Sequence, residues 1–175
     1  MTNVKTQMRR IVLTGFMGSG KTTVGPLLAA RLGWKFVDVD DVIEAEARTK
    51  ITELFTKYGE AEFRRREHEA VSRLAENEEL VLALGGGAIE TEEIRTLLLG
   101  GTGTLLVHLE VEIETTLKRC AGTETTRPIL ADRANLEARY AKRLPLYRTA
   151  NVSIRVDGLT PEEVVSEVLD SARLD

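Results

Sequence analysis

Gly15-Phe16-Met17-Gly18-Ser19-Gly20-Lys21-Thr22 is the stretch from which the rest of the chain is read. It fits G-x-x-x-x-G-K-[ST], a pattern whose glycines let backbone N–H groups turn inward around a phosphate. A helix starting near Lys21 would add its positive N-terminal end. Lys21 would reach the β- and γ-phosphates of a nucleotide and the Thr22 hydroxyl would ligate Mg²⁺. Gly15, Gly18, Ser19, Gly20 and Thr23 would complete the cradle. The context agrees. Ile11-Val12-Leu13 is a short apolar run ended by Gly15, a buried strand. Val24, Leu27, Leu28 and Leu32 then recur at helical spacing until Gly33. Dinucleotide binding does not fit, because neither glycine-rich stretch reads G-x-G-x-x-G: the sixth position counted from Gly18 is Thr23.

Outward from this point, apolar runs alternate with helical patterns. Phe36-Val37 predicts a second strand ending in acid at Asp38 and Asp40, followed by a short helix through Val42 and Ile43. Thr52 is a candidate cap for a helix that stops at Gly59, and Phe63, Ala70, Val71 and Leu74 mark one face of a longer one. Leu80 to Leu84 predicts a third strand, closed by Gly85-Gly86-Gly87. Thr91 opens a helix that Gly100 and Gly101 close. Thr104 to Leu109 predicts the fourth strand and Val152 to Val156 the fifth, with a helix from Glu112 to Arg119 between them. A further helix carries Leu136, Tyr140 and Leu144 and is expected to stop at Pro145. Thr160-Pro161-Glu162-Glu163 combines a cap, a first-turn proline and the glutamate of a capping box. Residues 121 to 132 show no apolar period and predict a mobile loop. The expected fold is α/β, a five-stranded parallel sheet flanked by helices.

The chain has 175 residues, the size of one domain, and no linker-like tract divides it, so residues 1–175 are expected to form a single unit. Its single cysteine, Cys120, excludes an internal disulfide and suits a reducing compartment. A net charge of −4 argues against nucleic acid or a membrane surface as partner. No apolar run reaches the ~18 residues of a membrane span, and the polar start is unlike a secretory signal. A cytoplasmic setting is expected. His68 and His108 have no metal-ligand spacing with Cys120, so no protein-held zinc is expected.

A phosphate loop names a nucleotide, not a reaction. A GTP switch would usually carry Asn-Lys-x-Asp, which is absent. A motor ATPase would want an acid after an apolar strand; Glu110 stands there, although acids commonly open helices at such points. A small-molecule kinase needs an acceptor pocket and a lid that excludes water. The remaining motifs bear on that third class. Asp38 and Asp40, two apart, would share a face if both lie on a strand, at the edge where open α/β sheets bind ligands. One would hold Mg²⁺ through water and the other accept a hydroxyl proton; the competing role is that of helix-opening acids. Arg64, Arg65 and Arg66 spread over about 200° of a helix and cannot all face one site. Arg65 and Arg66 read as solvated, whereas Arg64, held by Glu67, would offer a fixed fork to a carboxylate. Three glycines at 85–87 suit a close approach of backbone to ligand.

Together these residues resemble the shikimate kinase family. The resemblance rests on the phosphate loop, on Phe36-x-Asp38-x-Asp40, on Gly59-Glu60-x-Glu62-Phe63-Arg64 and on Arg64-x-x-Glu67 followed by Val81 to Ile89. It extends to Arg127-Pro128-Ile129-Leu130, similar to that family's lid, and to Ala141-Lys142-Arg143-x-Pro145-x-Tyr147-Arg148, similar to its second carboxylate clamp. It implies a phosphate-loop kinase fold like that of nucleoside monophosphate kinases, with a mobile lid at about 121–133. The implied reaction moves the γ-phosphoryl of ATP to the 3-hydroxyl of shikimate on the aromatic amino-acid route, with Mg²⁺ as cofactor. By position, Lys21, Asp40 and Arg127 would be catalytic. Asp40, Arg64, Gly85, Gly86, Gly87 and Arg143 would bind shikimate. Thr22 and Asp38 would bind the metal, and Arg119, Arg127 and Pro161 would meet the nucleotide. Asp41 is given no role. The expected partners are shikimate and ATP, with the protein a monomer. A gluconate-type kinase is the nearest competing reading, and a nucleotide-binding module without turnover the more distant one.

Overall fold

The computed structural model describes residues 8–122, 130 and 132–172. Five parallel strands form one sheet in the order β2-β3-β1-β4-β5: β1 (Arg10–Thr14), β2 (Lys35–Asp38), β3 (Leu80–Ala83), β4 (Thr104–Glu110) and β5 (Val152–Arg155). Every residue of β1 and β3 is buried, as expected of central strands covered on both faces. Register is fixed from Arg10 opposite Leu80 on one side and Thr104 on the other. The helices are α1 (Lys21–Leu32), α2 (Val39–Ala47), α3 (Ile51–Leu74), α4 (Glu92–Gly100), α5 (Ile113–Cys120), α6 (Arg133–Tyr147) and α7 (Pro161–Ala172), with a 3-10 turn at Ala88–Glu90. α1 packs on the sheet and against α7, while α4 packs on β4 and against α3.

This topology positions the site. All five strands run the same way, so their carboxyl ends share one edge. There β2, β3 and β1 lie side by side and deliver Asp38, Gly85–Gly87 and Gly15 respectively. β1 is also where the strand order turns back on itself, the place where open α/β sheets carry ligands.

Three local expectations are corrected. Asp40 does not share a strand with Asp38. β2 ends at Asp38, whose carboxylate accepts the Asp40 N–H at 2.9 Å and caps α2, so Asp40 stands in the first helical turn. Thr52 does not cap α3. That helix begins at Ile51, and its first N–H donates to Glu44 on α2 at 3.0 Å, so a tertiary acceptor replaces the local one. Gly59, with φ 81°, breaks the helical path of α3 where a stop was expected. Pro145 does not end α6, which runs on to Tyr147. Near a helix end the proline forfeits a single backbone bond, and the last turn still closes with Arg148 N–H on the Leu144 carbonyl at 3.0 Å. The box at the start of α7 forms as read: Thr160 N–H donates to Glu163 at 2.7 Å and Glu163 N–H to the Thr160 hydroxyl at 3.2 Å.

Candidate active site

The loop between β1 and α1 holds itself in shape. Gly15, Gly18 and Gly20 all have positive φ, and Gly20 is the left-handed residue that opens α1. A side chain at any of the three would strain this path. The Lys21 ammonium donates to the carbonyls of Gly15 at 2.7 Å and Phe16 at 3.2 Å and to the Ser19 hydroxyl at 3.3 Å. Thr22 and Thr23 stand exposed in the first turn of α1. From α5, Thr116 donates to the Met17 carbonyl at 3.0 Å and Arg119 to the Gly18 carbonyl at 2.9 Å. Cys120 is buried against Gly18. A cavity of about 300 Å³ opens beside the loop, lined by Ser19, Gly20, Thr23, Arg119, Pro161 and Val164 among others. Arg119 and Pro161 thus flank the same space next to the phosphate loop.

Asp38 and Asp40 lie between this loop and the glycine turn. Burial pushes the Asp40 carboxyl up to about 6; Asp38 adds to the shift and Lys21 opposes it. Burial also raises Asp38, against the bond from the Asp40 N–H. Among the described residues Asp40 Oδ1 is buried with no hydrogen-bond partner, and it faces Gly85, where a Cβ would sit 2.7 Å away. A buried carboxylate oxygen left without a donor is costly, and at a ligand edge a water or a bound molecule can supply one. The donor types here, a hydroxyl at Thr22 and a carboxylate at Asp38, suit a hard cation such as Mg²⁺, which commonly takes one or two carboxylates with phosphates and water.

Gly85 and Gly87 admit groups that side chains would exclude, while Gly86 has room for a Cβ. A Cβ on Gly87 would collide with the Arg64 guanidinium, and one on Gly86 would stand 3.6 Å from Arg143 Nη1 and from the Tyr147 hydroxyl. Arg64 donates to Glu67 at 2.6 Å and to Glu60 at 3.4 Å. Glu67 is 1% exposed, and burial raises its carboxyl to about 7 against the opposing charge of Arg64. Arg65 instead pairs outward with Glu62 and Glu69, and Arg66 with Glu62. Arg143, 8% exposed, comes from α6 and donates through Nε to Glu90 at 2.8 Å. Arg64, Glu90, Arg139, Lys142 and Arg143 line a cavity of about 500 Å³.

The structure therefore brings Lys21, Asp38, Asp40, Arg64, Arg143 and the glycine turn to one edge. Arg127 and the core of the expected lid lie outside the described residues. Glu110 is taken up by Arg148 at 2.8 Å. His68 is half-buried. His108 is fully buried, stacked on Tyr147 with ring centroids 5.0 Å apart, and burial lowers its imidazole to about 4. Sequence reasoning missed Glu90 and Arg139, and gave Tyr147 no task, although its hydroxyl donates to the Gly86 carbonyl at 2.5 Å. Arg139 stands one helical turn before Arg143, a spacing that was available. Glu90 follows the glycines by one 3-10 turn, a spacing with no familiar pattern.

Comparison with known proteins decides the family. The shikimate kinase family model matches residues 17–173. A shikimate kinase of Persephonella marina is 39% identical over 168 residues, covering 95% of this chain and all of that protein. One of Moorella thermoacetica is 42% identical over 165 residues, covering 93% of this chain and 94% of the other. The chain belongs to the shikimate kinase family. Its reaction is the ATP-dependent phosphorylation of shikimate on the aromatic pathway. In structure it is similar to the shikimate kinase of Acinetobacter baumannii in complex with shikimate, with a TM-score of 0.88, 34% identity and 96% of each chain covered. The shikimate kinase of Aquifex aeolicus superposes with a TM-score of 0.73 at 33% identity, covering 93% of this chain and 94% of that one.

Proposed function

We propose that the enzyme divides its labour between the two cavities. ATP places its phosphates in the Gly15–Thr22 loop, under Lys21 and the N-terminus of α1, and its adenine in the space between Arg119 and Pro161. Shikimate enters the larger cavity with its carboxylate on Arg64 and Arg143 and its ring against Gly85–Gly87. Its hydroxyls then lie toward Asp40, whose unpartnered Oδ1 accepts the proton of the attacking hydroxyl. A carboxyl raised to about 6 is better poised for that proton than an ordinary aspartate. Phosphoryl transfer asks a protein mainly for positioning and charge balance, and Lys21 supplies the first fixed positive charge. Mg²⁺, when bound with ATP, neutralises charge on the transferring phosphoryl group, and Thr22 and Asp38 are the residues that would hold it. Arg127 adds a further cation to the phosphates on closure.

The observation that carries this reading is the convergence of Arg64 and Arg143, from α3 and α6, on the same glycine turn as the orphaned Asp40 oxygen. We also infer that residues 1–175 act as one monomeric unit in the cytoplasm; among the described residues no helix is long and apolar enough to cross a membrane. The test is coupled ADP release with Mg²⁺-ATP across shikimate, gluconate and AMP. Turnover with shikimate alone is expected. Release with gluconate and none with shikimate would overturn the assignment.

A further inference from the structure

The acceptor cavity carries more fixed charge than a monocarboxylate needs, and one member of it acts at second hand. Glu90 ends the 3-10 turn that follows the three glycines, so it belongs to the glycine loop. Its Oε1 accepts from Arg143 Nε at 2.8 Å and lies 3.7 Å from Lys142 Nζ. A guanidinium has two edges. With Nε engaged, Nη1 lies outside that bond, on the side away from the Nε–H, and faces the space over Gly86. Two other bonds tie the same parts together: the Tyr147 hydroxyl to the Gly86 carbonyl at 2.5 Å, and Arg95 to the Ile89 carbonyl at 2.6 Å.

We propose that Glu90 is a positioning residue for the acceptor: it fixes the rotation of the Arg143 guanidinium, so that the Nη edge is presented to the substrate carboxylate over the glycine loop. The inference rests on the acceptor clamp described above.

Two effects of removing Glu90 oppose each other, and their sizes decide the sign. Deleting its charge leaves the cavity more positive, which by itself would tighten binding of an anion. That gain is small, because Lys142 is 70% exposed and its field is screened by water. The loss is larger. The Arg143 side chain is 9% exposed, and without Glu90 it forfeits its charge-assisted bond and keeps the neutral Tyr147 hydroxyl as the weaker anchor of its orientation. Burial by itself would raise the Glu90 carboxyl, but the Arg143 bond and the neighbouring cations hold it below its ordinary value, so it is ionised at neutral pH.

The test is steady-state kinetics of the full chain for Glu90→Ala, Glu90→Gln, Arg143→Ala and the Glu90→Ala/Arg143→Ala pair, varying shikimate and ATP separately. Glu90→Ala should raise the shikimate KM about tenfold, with the ATP KM and kcat within about twofold of wild type. Glu90→Gln, which keeps an acceptor for Nε, should recover most of the loss. The double variant should be no worse than Arg143→Ala alone, because the positioning role of Glu90 is exerted on Arg143 and the screened loss of its charge beside Lys142 favours anion binding. An unchanged or lowered shikimate KM in Glu90→Ala would overturn the proposal, as would equal damage to both substrates. If Arg143→Ala itself leaves the shikimate KM unmoved, the clamp has failed and not merely its support.

Discussion

At the phosphate end, eight contiguous residues make most of their own contacts. Lys21 reaches back to Gly15, Phe16 and Ser19, and two bonds from α5 steady the loop. At the acceptor end nothing is contiguous. Arg64 comes from α3, Arg143 from α6 and the glycines from the turn after β3, and each arginine is held by a carboxylate, Glu67 or Glu90. A local site is organised once its own backbone forms. A non-local site is organised only when the whole fold has closed, and its geometry depends on the partners that lock each charged side chain. The two ends should therefore fail differently: damage to the acceptor end should cost shikimate and spare ATP.

Asp38 and Asp40 sit on the seam, and the largest effects are expected there. Asp40→Asn keeps the shape and removes the charge. Turnover should fall by about 10²- to 10⁴-fold, the usual contribution of a positioned base, with Mg²⁺-ATP binding nearly unchanged. Asp38→Asn should instead raise the Mg²⁺ concentration needed for half-maximal rate, and added Mg²⁺ should restore part of the loss. Titrating Mg²⁺ against rate separates the two. Rescue of Asp40→Asn and not of Asp38→Asn would place the metal on the acceptor side of the seam and reverse the roles.

The next effect in size tests the separation directly. In the proposed binding mode Arg64→Ala and Arg143→Ala would each remove a charged partner of the substrate carboxylate, an expected loss of about 2–5 kcal/mol, or roughly 30- to several-thousand-fold in kcat/KM for shikimate. The ATP KM should barely move in either. Arg65→Ala is the control, because its guanidinium is committed to Glu62 and Glu69 on the outer face of α3. Exposed pairs of that kind are worth little, so kcat/KM should stay within about twofold. Equal damage from Arg65→Ala would mean that α3 presents a different face to the acceptor.

The same contrast explains what was legible in the sequence. The phosphate loop, the strand before it and the helix after it could be read because all their determinants are neighbours along the chain. The five-stranded sheet followed from the alternation of apolar runs with helical patterns. Arg64 could be separated from Arg65 and Arg66 because its anchor, Glu67, lies three residues away. Glu90 could not be assigned to Arg143, because only the packing of α6 on the glycine turn brings them together across 53 positions. The misplacement of Asp40 has the same root. Alternation in Phe36-x-Asp38-x-Asp40 resembles a strand, but Asp38 caps α2, and a cap two residues earlier turns the chain before Asp40 is reached. Pro145 reads as a stop by propensity alone, which ignores the tertiary anchor that Tyr147 supplies beyond it.

The smallest expected effect is on stability rather than turnover: it concerns Glu67, and it asks what the non-local site costs the fold. Burial raises the Glu67 carboxyl from an ordinary value near 4.5 to about 7. Between those values the folded protein holds a proton that the unfolded chain has released. Its contribution to stability is therefore greatest below pH 4.5 and fades as the pH rises through about 7. The full shift corresponds to on the order of 3 kcal/mol as an upper bound. His108 runs the other way: its imidazole is lowered to about 4, so its contribution is lost as the pH falls from its ordinary value near 6.5. Asp40, raised to about 6, adds a slope of the same sign as Glu67, and His108 opposes both, so the raw pH–stability curve isolates none of them. Glu67→Gln isolates the Glu67 slope, because glutamine is neutral at every pH and nearly the same shape. Urea unfolding of both proteins from pH 4.5 to 8 should show the variant gaining on wild type as the pH rises, while the Asp40 and His108 slopes largely subtract out. A difference that stays flat across this range would mean that Arg64 keeps Glu67 ionised throughout, and that the acceptor end carries its buried charge pair without a proton in reserve.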